Sequence, residues 1–312
     1  GTALRPVDEP VRLGQDPDVA FAPAPLASLE FGRDGGPPRL QVRLFGLLGP
    51  NGPLPIHITE YARHRLRHAG DPTFSRFLDL FHHRFVALFY RAWAQAQPHV
   101  NRDRPDQDRY LVYVGSFVGV APPALRHRDT VPDLARLFHA GTLVRHVRNA
   151  EGLAAIIRQF FRVPATIEEF VGHWLVLAPR ERTYLHGDGA ALGSGAVAGA
   201  RVWDHQGKFR IHLGPLTLAQ YQAFLPAAQD RQGVRSGGAL LRKLVDWVRF
   251  YLCFELDWDV RLHLKREEVP ILRLGARGQL GWTTWLGTRR AASDAADLCL
   301  DGERFVARDR AA

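Results

Sequence analysis

Residues 45–93 read FGLLGPNGPLPIHITEYARHRLRHAGDPTFSRFLDLFHHRFVALFYRAW. The stretch opens on a Gly/Pro loop, Gly46 to Pro55, that carries Leu47, Leu48 and Leu54 and no charged residue. A short helix is expected next, with Thr59 as its N-cap and Glu60 in its first turn. After Gly70-Asp71-Pro72, the residues Phe74, Phe77, Leu78, Phe81, Phe85, Leu88, Phe89, Ala92 and Trp93 recur at helical spacing. That periodicity predicts a helix over 73–93, a rod about 30 Å long. The stretch holds no evident nucleophile, metal cage or phosphate cradle. A stiff rod with an apolar loop at one end is an assembly part.

Upstream, Val11-Arg12-Leu13 and Val19-Ala20-Phe21 are short extended candidates, and Arg39 to Phe45 (RLQVRLF) alternates as a half-exposed strand. Downstream, residues 98–108 read as a linker, 110–120 as helix or strand, and 131–138 as helix. Asn149 and Glu151 open a helix with the face Leu153, Ile156, Ile157, Phe160 and Phe161, after which Thr166 to Leu177 alternates. Strands are expected at 200–204, 208–213 and 257–264, and helices at 217–224 and 240–252. The last element is expected at Leu280 to Leu286, and the polar tail from Arg289 is expected to be loose.

Two segments echo each other. KFRIHLGPLTLAQYQAFLP, starting at Lys208, repeats the plan of RLQVRLFGLLGPNGPLPIHITEYARHRL, starting at Arg39. Each has a basic alternating strand, a Gly-Pro-Leu turn and a short helix bearing Tyr61 or Tyr221, and each is followed by a longer amphipathic helix. The alternatives are a structural repeat and chance recurrence of a common unit. The expected fold class is α+β, in two related halves, 1–145 and 146–312, each a small β unit with amphipathic helices.

With 46% hydrophobic and 23% charged residues, the 312-residue chain has a globular composition. It contains no uncharged apolar run long enough to span a membrane, and no secretory leader is expected. It starts Gly-Thr and lacks Met, which predicts a trimmed start. Cys253 and Cys299 have no C-x-x-C spacing, so reduced thiols are expected. The formal net charge of +9 is carried by arginine and suits acidic partners of protein, nucleic-acid or membrane type.

His64 and His68 have the i, i+4 spacing of a zinc-binding helix, but Arg65 stands where H-E-x-x-H enzymes place their base. The glycines of 187–199 run into a strand with Leu192 in place of a fingerprint glycine, which argues for a surface loop over a nucleotide site. The acidic residues sit at caps, turns and beside arginines rather than as a paired acid and base. No enzyme activity, metal or cofactor is therefore expected. Arginine clusters at 63–67, 126–128 and 145–148 keep nucleic-acid binding as the rival class.

The strings FGLLGPNGPLPIHITEYARHRLRH, RFLDLFHHRFVALFYRAWA, RNAEGLAAIIRQFFRVPATIEEFVGHWL, RVWDHQGKFRIHLGPLTLAQYQAFLP and LGWTTWLG together resemble the TssG (ImpH/VasB) family. Members of that family are baseplate subunits of bacterial type VI secretion systems, and the resemblance runs from about Pro10 to Gly287. It implies a cytoplasmic wedge subunit, docked at the inner membrane with its baseplate, which pairs with TssF, contacts TssE and is gripped by trimers of the adaptor TssK. A wedge protein of another phage-tail-like injection system is the variant within the same class. Under the resemblance, the two Gly-Pro-Leu loops are expected to be feet for TssK: Leu47, Leu48, Pro50, Pro53, Leu54 and Pro55 in one, Gly214, Pro215 and Leu216 in the other. The aromatic helices are expected to bundle with TssF. Apolar loops of this kind either fold onto their own core or dock on a partner.

Overall fold

The strand Arg39–Val42 lies between Arg12–Gln15, parallel to it, and Leu26–Glu30, antiparallel, in a computed structural model of the protein. The structure describes positions 3–305 except 4, 6, 7, 33, 34, 185–190, 192, 194, 230–234, 272–277, 286, 288 and 290. The chain is α+β and divides into two compact units, Gly1–Tyr110 and Leu111–Ala312. The boundary between these two units falls at 110/111. The cause is packing: Val118, Val131 and Leu143 belong to the same buried cluster as Ile156 and Ile157.

In the first unit, β1 (Arg12–Gln15), β2 (Leu26–Glu30) and β3 (Arg39–Val42) are followed by helices α1 (Ile56–His68), α2 (Thr73–Gln95) and the short α3 (Pro98–Arg102). Residues 19–21 are not a strand, and 98–108 is part helix rather than plain linker. Helix α1 begins one turn earlier than Thr59 predicts, because Pro55 precedes it with the fixed φ that suits a helix start. Thr59 is instead fully buried inside the helix. The apolar core here is small: Leu48, Ala62 and Leu78, with Leu47, Leu54, Ile58 and Phe74 against them.

Helix α4 (Arg109–Val118) spans the boundary between the units, and α5 (Asp133–Phe138), α6 (Ala140–Leu143) and α7 (Ala150–Phe161) follow in the second. Asn149 caps α7, its side chain accepting from the Gly152 N–H at 2.8 Å. Next come β4 (Ala165–Glu168), β5 (His173–Val176), β6 (Arg201–Asp204), β7 (Lys208–Leu216), α8 (Leu218–Ala223), β8 (Ala228–Gln229), β9 (Arg235–Ser236), α9 (Ala239–Leu252), β10 (Asp257–Leu264) and β11 (Cys299–Leu300). β7 and β10 run parallel, joined through α8 and α9, with β4 and β11 antiparallel at the edges in the order β11-β10-β7-β4. A parallel pair needs such a crossover, which no hairpin can make. Phe209, Ile211 and Leu213 alternate inward from β7, and Val260, Leu262 and Leu264 from β10. They meet Leu244, Val245 and Trp247 of α9, all essentially without solvent exposure.

The echo seen in the sequence has a topological counterpart. β3 and β7 are each flanked by one parallel and one antiparallel neighbour, and each leads through a Gly-Pro-Leu segment into two helices. The parallel neighbour precedes β3 but follows β7. The surroundings also differ: Tyr61 is half exposed, whereas Tyr221 is buried and donates to the Trp282 carbonyl at 3.0 Å.

Residues 280–285 form turns and bends, not the expected regular element. The tail instead supplies β11, with Ala295 bridged to Leu264 and both Ala295 and Leu300 buried. Much of the 187–199 glycine stretch lies outside the described residues. No helix among the described residues is long and apolar enough to cross a membrane.

Candidate partner-docking site

The Gly46–Pro55 loop is mounted on a set of buried polar side chains. Gln15, at the end of β1, accepts from the Leu48 N–H through Oε1 at 2.8 Å and donates through Nε2 to the Leu48 carbonyl at 2.6 Å. The Leu47 N–H donates to His82 Nε2 at 3.0 Å, and the Gly49 N–H to Thr59 Oγ1 at 3.0 Å. With Nε2 accepting, the His82 ring proton sits on Nδ1, facing Asp79 Oδ1 at 3.2 Å. Asp79 also accepts from the Gln15 N–H at 3.0 Å and pairs with Arg39 at 3.1 Å. Gln15, Thr59, Asp79 and His82 are all buried, so each would be costly without these partners.

Gly46 has φ +155°, and a Cβ there would lie 2.2 Å from Gln15 Oε1, so the clamp requires glycine at this position. The loop then closes on itself, with Leu54 N–H on the Leu47 carbonyl at 3.3 Å and Gly52 N–H on the Gly49 carbonyl at 3.1 Å. Leu48 is buried, and Leu47 and Leu54 pack beside it. Pro50, Asn51, Pro53 and Pro55 stay exposed. Beside the loop runs a groove of ≈ 670 Å³, lined among others by Phe21, Pro23, Pro25, Phe45 and Phe85.

The second Gly-Pro-Leu segment is different, and the expectation of an exposed foot is corrected there. Leu213 and Leu216 have no solvent exposure, because β7 runs on through Gly214-Pro215 and Leu216 still pairs with Leu264. A Cβ on Gly214 would lie 2.5 Å from the His263 carbonyl oxygen, so that glycine serves close strand packing. Only Pro215 is exposed. The sequence pattern finds the segment but not its burial, since a strand end and a surface turn share the same Gly-Pro-Leu letters.

The polar mount was missed at the sequence level, although it left a signal. Asp79 and His82 interrupt the apolar face of α2 three residues apart and turn inward, while Phe77, Phe81, Phe85, Phe89 and Trp93 are each about half exposed. Phe45 stacks on Phe89 with ring centres 5.2 Å apart. His64 and His68 do approach each other on α1, at 4.9 Å between ring centres. Among the described residues, no group of three or more side chains could hold a metal ion.

The chain resembles a chain of the cryo-electron microscopy structure of the type VI secretion system TssK-TssF-TssG baseplate subcomplex (24% identity, TM-score 0.57, 70% of this chain and 89% of that one). It also resembles a chain of the baseplate complex from the type VI secretion system (24% identity, TM-score 0.59, 88% and 76%). At that identity, both establish a common fold. No curated protein matches the chain. Residues 1–287 match the family described as type VI secretion, TssG, so the chain belongs to the TssG family of type VI secretion proteins.

Proposed function

We propose that this chain is a structural wedge subunit of a type VI secretion baseplate, joining a TssF-type partner to TssK adaptors during assembly of the contractile tail. The observation that carries the reading is an apolar, uncharged loop apex held rigidly by the Gln15, Thr59 and His82 contacts, in a member of the TssG family. A loop already fixed in shape loses little conformational freedom on binding, which favours its use as a docking foot. The exposed prolines Pro50, Pro53 and Pro55 form the TssK contact, with Leu47, Leu48 and Leu54 as the core that holds them. At the second segment only Pro215 remains as a contact, with Gly214 and Leu216 supporting it. The aromatic side of α2 meets TssF, and a contact with TssE completes the wedge. Attachment to the inner membrane runs through TssK. The role is mechanical placement, without catalysis or cofactor.

The test is co-purification with TssF and TssK from the same genome, comparing the wild type with a Pro50→Asp/Pro53→Asp variant. A variant that keeps TssF but loses TssK supports the foot. Unchanged TssK binding removes it, and a folded wild type that binds neither protein removes the baseplate reading.

A further inference from the structure

β1 is the edge strand of its sheet, so one side of its backbone has no strand neighbour. The N–H groups of Arg12 and Asp16 turn toward β3, donating to the Pro38 and Val42 carbonyls at 2.8 and 3.1 Å. Those of Leu13 and Gln15 turn the other way, and helix α2 receives them. Leu13 N–H donates to His83 Nδ1 at 3.1 Å and Gln15 N–H to Asp79 Oδ1 at 3.0 Å. Acceptors four apart on a helix, separated by about 6 Å, thus match donors two apart on a strand, separated by about 6.6 Å. Gly14 stands between the two donors, and a Cβ on it would lie 2.5 Å from Asp79 Oδ2, so strand and helix close up only over glycine. Between the two acceptors on α2, His82 Nε2 receives the Leu47 N–H of the loop at 3.0 Å.

Helix α2 therefore stands where another strand would, with side chains in place of carbonyls. Two of its three acceptors are imidazoles. An imidazole nitrogen accepts only while it carries no proton, so both rings are neutral here, His82 protonated on Nδ1 toward Asp79 and His83 on Nε2. A second proton on either ring sets N–H against N–H, and the bond is lost. A backbone carbonyl in the same place would not respond to pH.

We propose that the seam joining α2 to β1 and to the Gly/Pro loop is a proton-controlled latch, closed while His82 and His83 are neutral and opened when they take up protons. The two histidines act on one structure: His82 holds the loop directly, and His83 holds the strand whose Gln15 clamps Leu48. His82 is buried and faces Asp79, itself paired with Arg39 of β3 at 3.1 Å. The groove it borders also carries Asp16 paired with Arg43, and Asp18 paired with Arg67 of α1. Around His83, burial holds the ring below its ordinary 6.5; Glu9 opposes this, while Arg12 of β1, the amino-terminal charge and Arg84 reinforce it. With its folded value depressed, His83 binds fewer protons in the closed latch than in the open one, so closure weakens as pH falls below about 6.5. The latch operates in the chain alone and does not depend on the baseplate reading.

The experiment follows amide hydrogen exchange of the full chain at about pH 7.5 and about pH 5.5, corrected for the intrinsic pH dependence of exchange, beside a His82→Gln/His83→Asn variant. Gln places an oxygen near the position of Nε2 and Asn near that of Nδ1, acceptors that do not titrate. Opening linked to one proton shifts an equilibrium about tenfold per pH unit, so wild-type protection at Leu13 and Leu47 should fall at least about tenfold. Amides of β10 should keep theirs, and the double variant should hold its protection at both pH values. Wild-type protection that stays within about twofold overturns the latch. An equal loss in the double variant also overturns it, because the titration then lies on other groups. Should the variant not fold, nitrogen NMR of the imidazoles in the wild type decides. Proton uptake by His82 and His83 over the range in which protection falls supports the latch, and charged rings beneath intact protection overturn it.

Discussion

Gln15 and Leu48, 33 residues apart, exchange two hydrogen bonds, side-chain oxygen to backbone N–H at 2.8 Å and side-chain nitrogen to carbonyl at 2.6 Å. One amide side chain thereby imitates a strand neighbour and turns a Gly/Pro loop into a fixed protrusion. Everything assigned to that loop depends on the pair.

Gln15→Leu keeps the volume and removes both partners, leaving a buried donor and acceptor unpaired. It should destabilise the first unit by about 2 to 4 kcal/mol. Amide hydrogen exchange should accelerate at Leu47, Leu48 and Gly49 ahead of the rest of the unit. Exchange unchanged at these amides would mean that the clamp is not what orders the loop.

Gly46→Ala tests the same mount from the other side. Its Cβ would fall 2.2 Å from Gln15 Oε1, against backbone that is already in the glycine region. Losses of about 2 kcal/mol or more are expected in denaturant titration. In the Gln15→Ala background, where the clash is gone, the additional cost of Gly46→Ala should shrink to the backbone strain alone.

The two Gly-Pro-Leu segments should separate cleanly under mutation. Leu216→Asp places a carboxylate among fully buried side chains and should cost at least about 4 kcal/mol, read as loss of the folded second unit by circular dichroism. Pro53→Asp changes an exposed residue and should leave the melting temperature within a few degrees of wild type. Leu54→Asp should fall between them, since Leu54 packs against Leu48 without being fully covered.

Asp259 provides a pH signature for the second unit. Burial pushes its carboxyl upward, but hydrogen bonds from Arg210 and Lys208 outweigh that and hold it down at about 2, below its ordinary 3.8. A carboxyl depressed in the folded state adds stability above its unfolded value and loses it as pH falls through the folded value. The contribution, about 2 kcal/mol, should be complete above about pH 4 and disappear between about pH 4 and pH 2. Asp259→Asn should flatten that limb of the stability curve. An unaltered acid limb would place the titration on other carboxyls.

Local order could be read from the letters. The i, i+4 run of 73–93, the Asn149 cap, the alternation of 257–264 and the Gly-Pro punctuation correspond to α2, α7, β10 and the loop after β3. Each depends on interactions within a few residues, so the sequence by itself determined these elements, the α+β mixture and, through long matching strings, the family. Tertiary structure alone decided which faces are covered. The periodicity of α2 marks an apolar side without saying whether Phe81 or His82 turns inward. Contacts from β1 and the loop settle that, because the backbone N–H groups of Leu13, Gln15 and Leu47 need acceptors, which His83, Asp79 and His82 supply. In the same way, Gly-Pro-Leu at 214–216 is core because β10 lies beside it, and Gly-Pro-Leu at 52–54 ends in an exposed apex because no strand does. Burial is set by partners distant in the chain, and a local pattern carries no record of them.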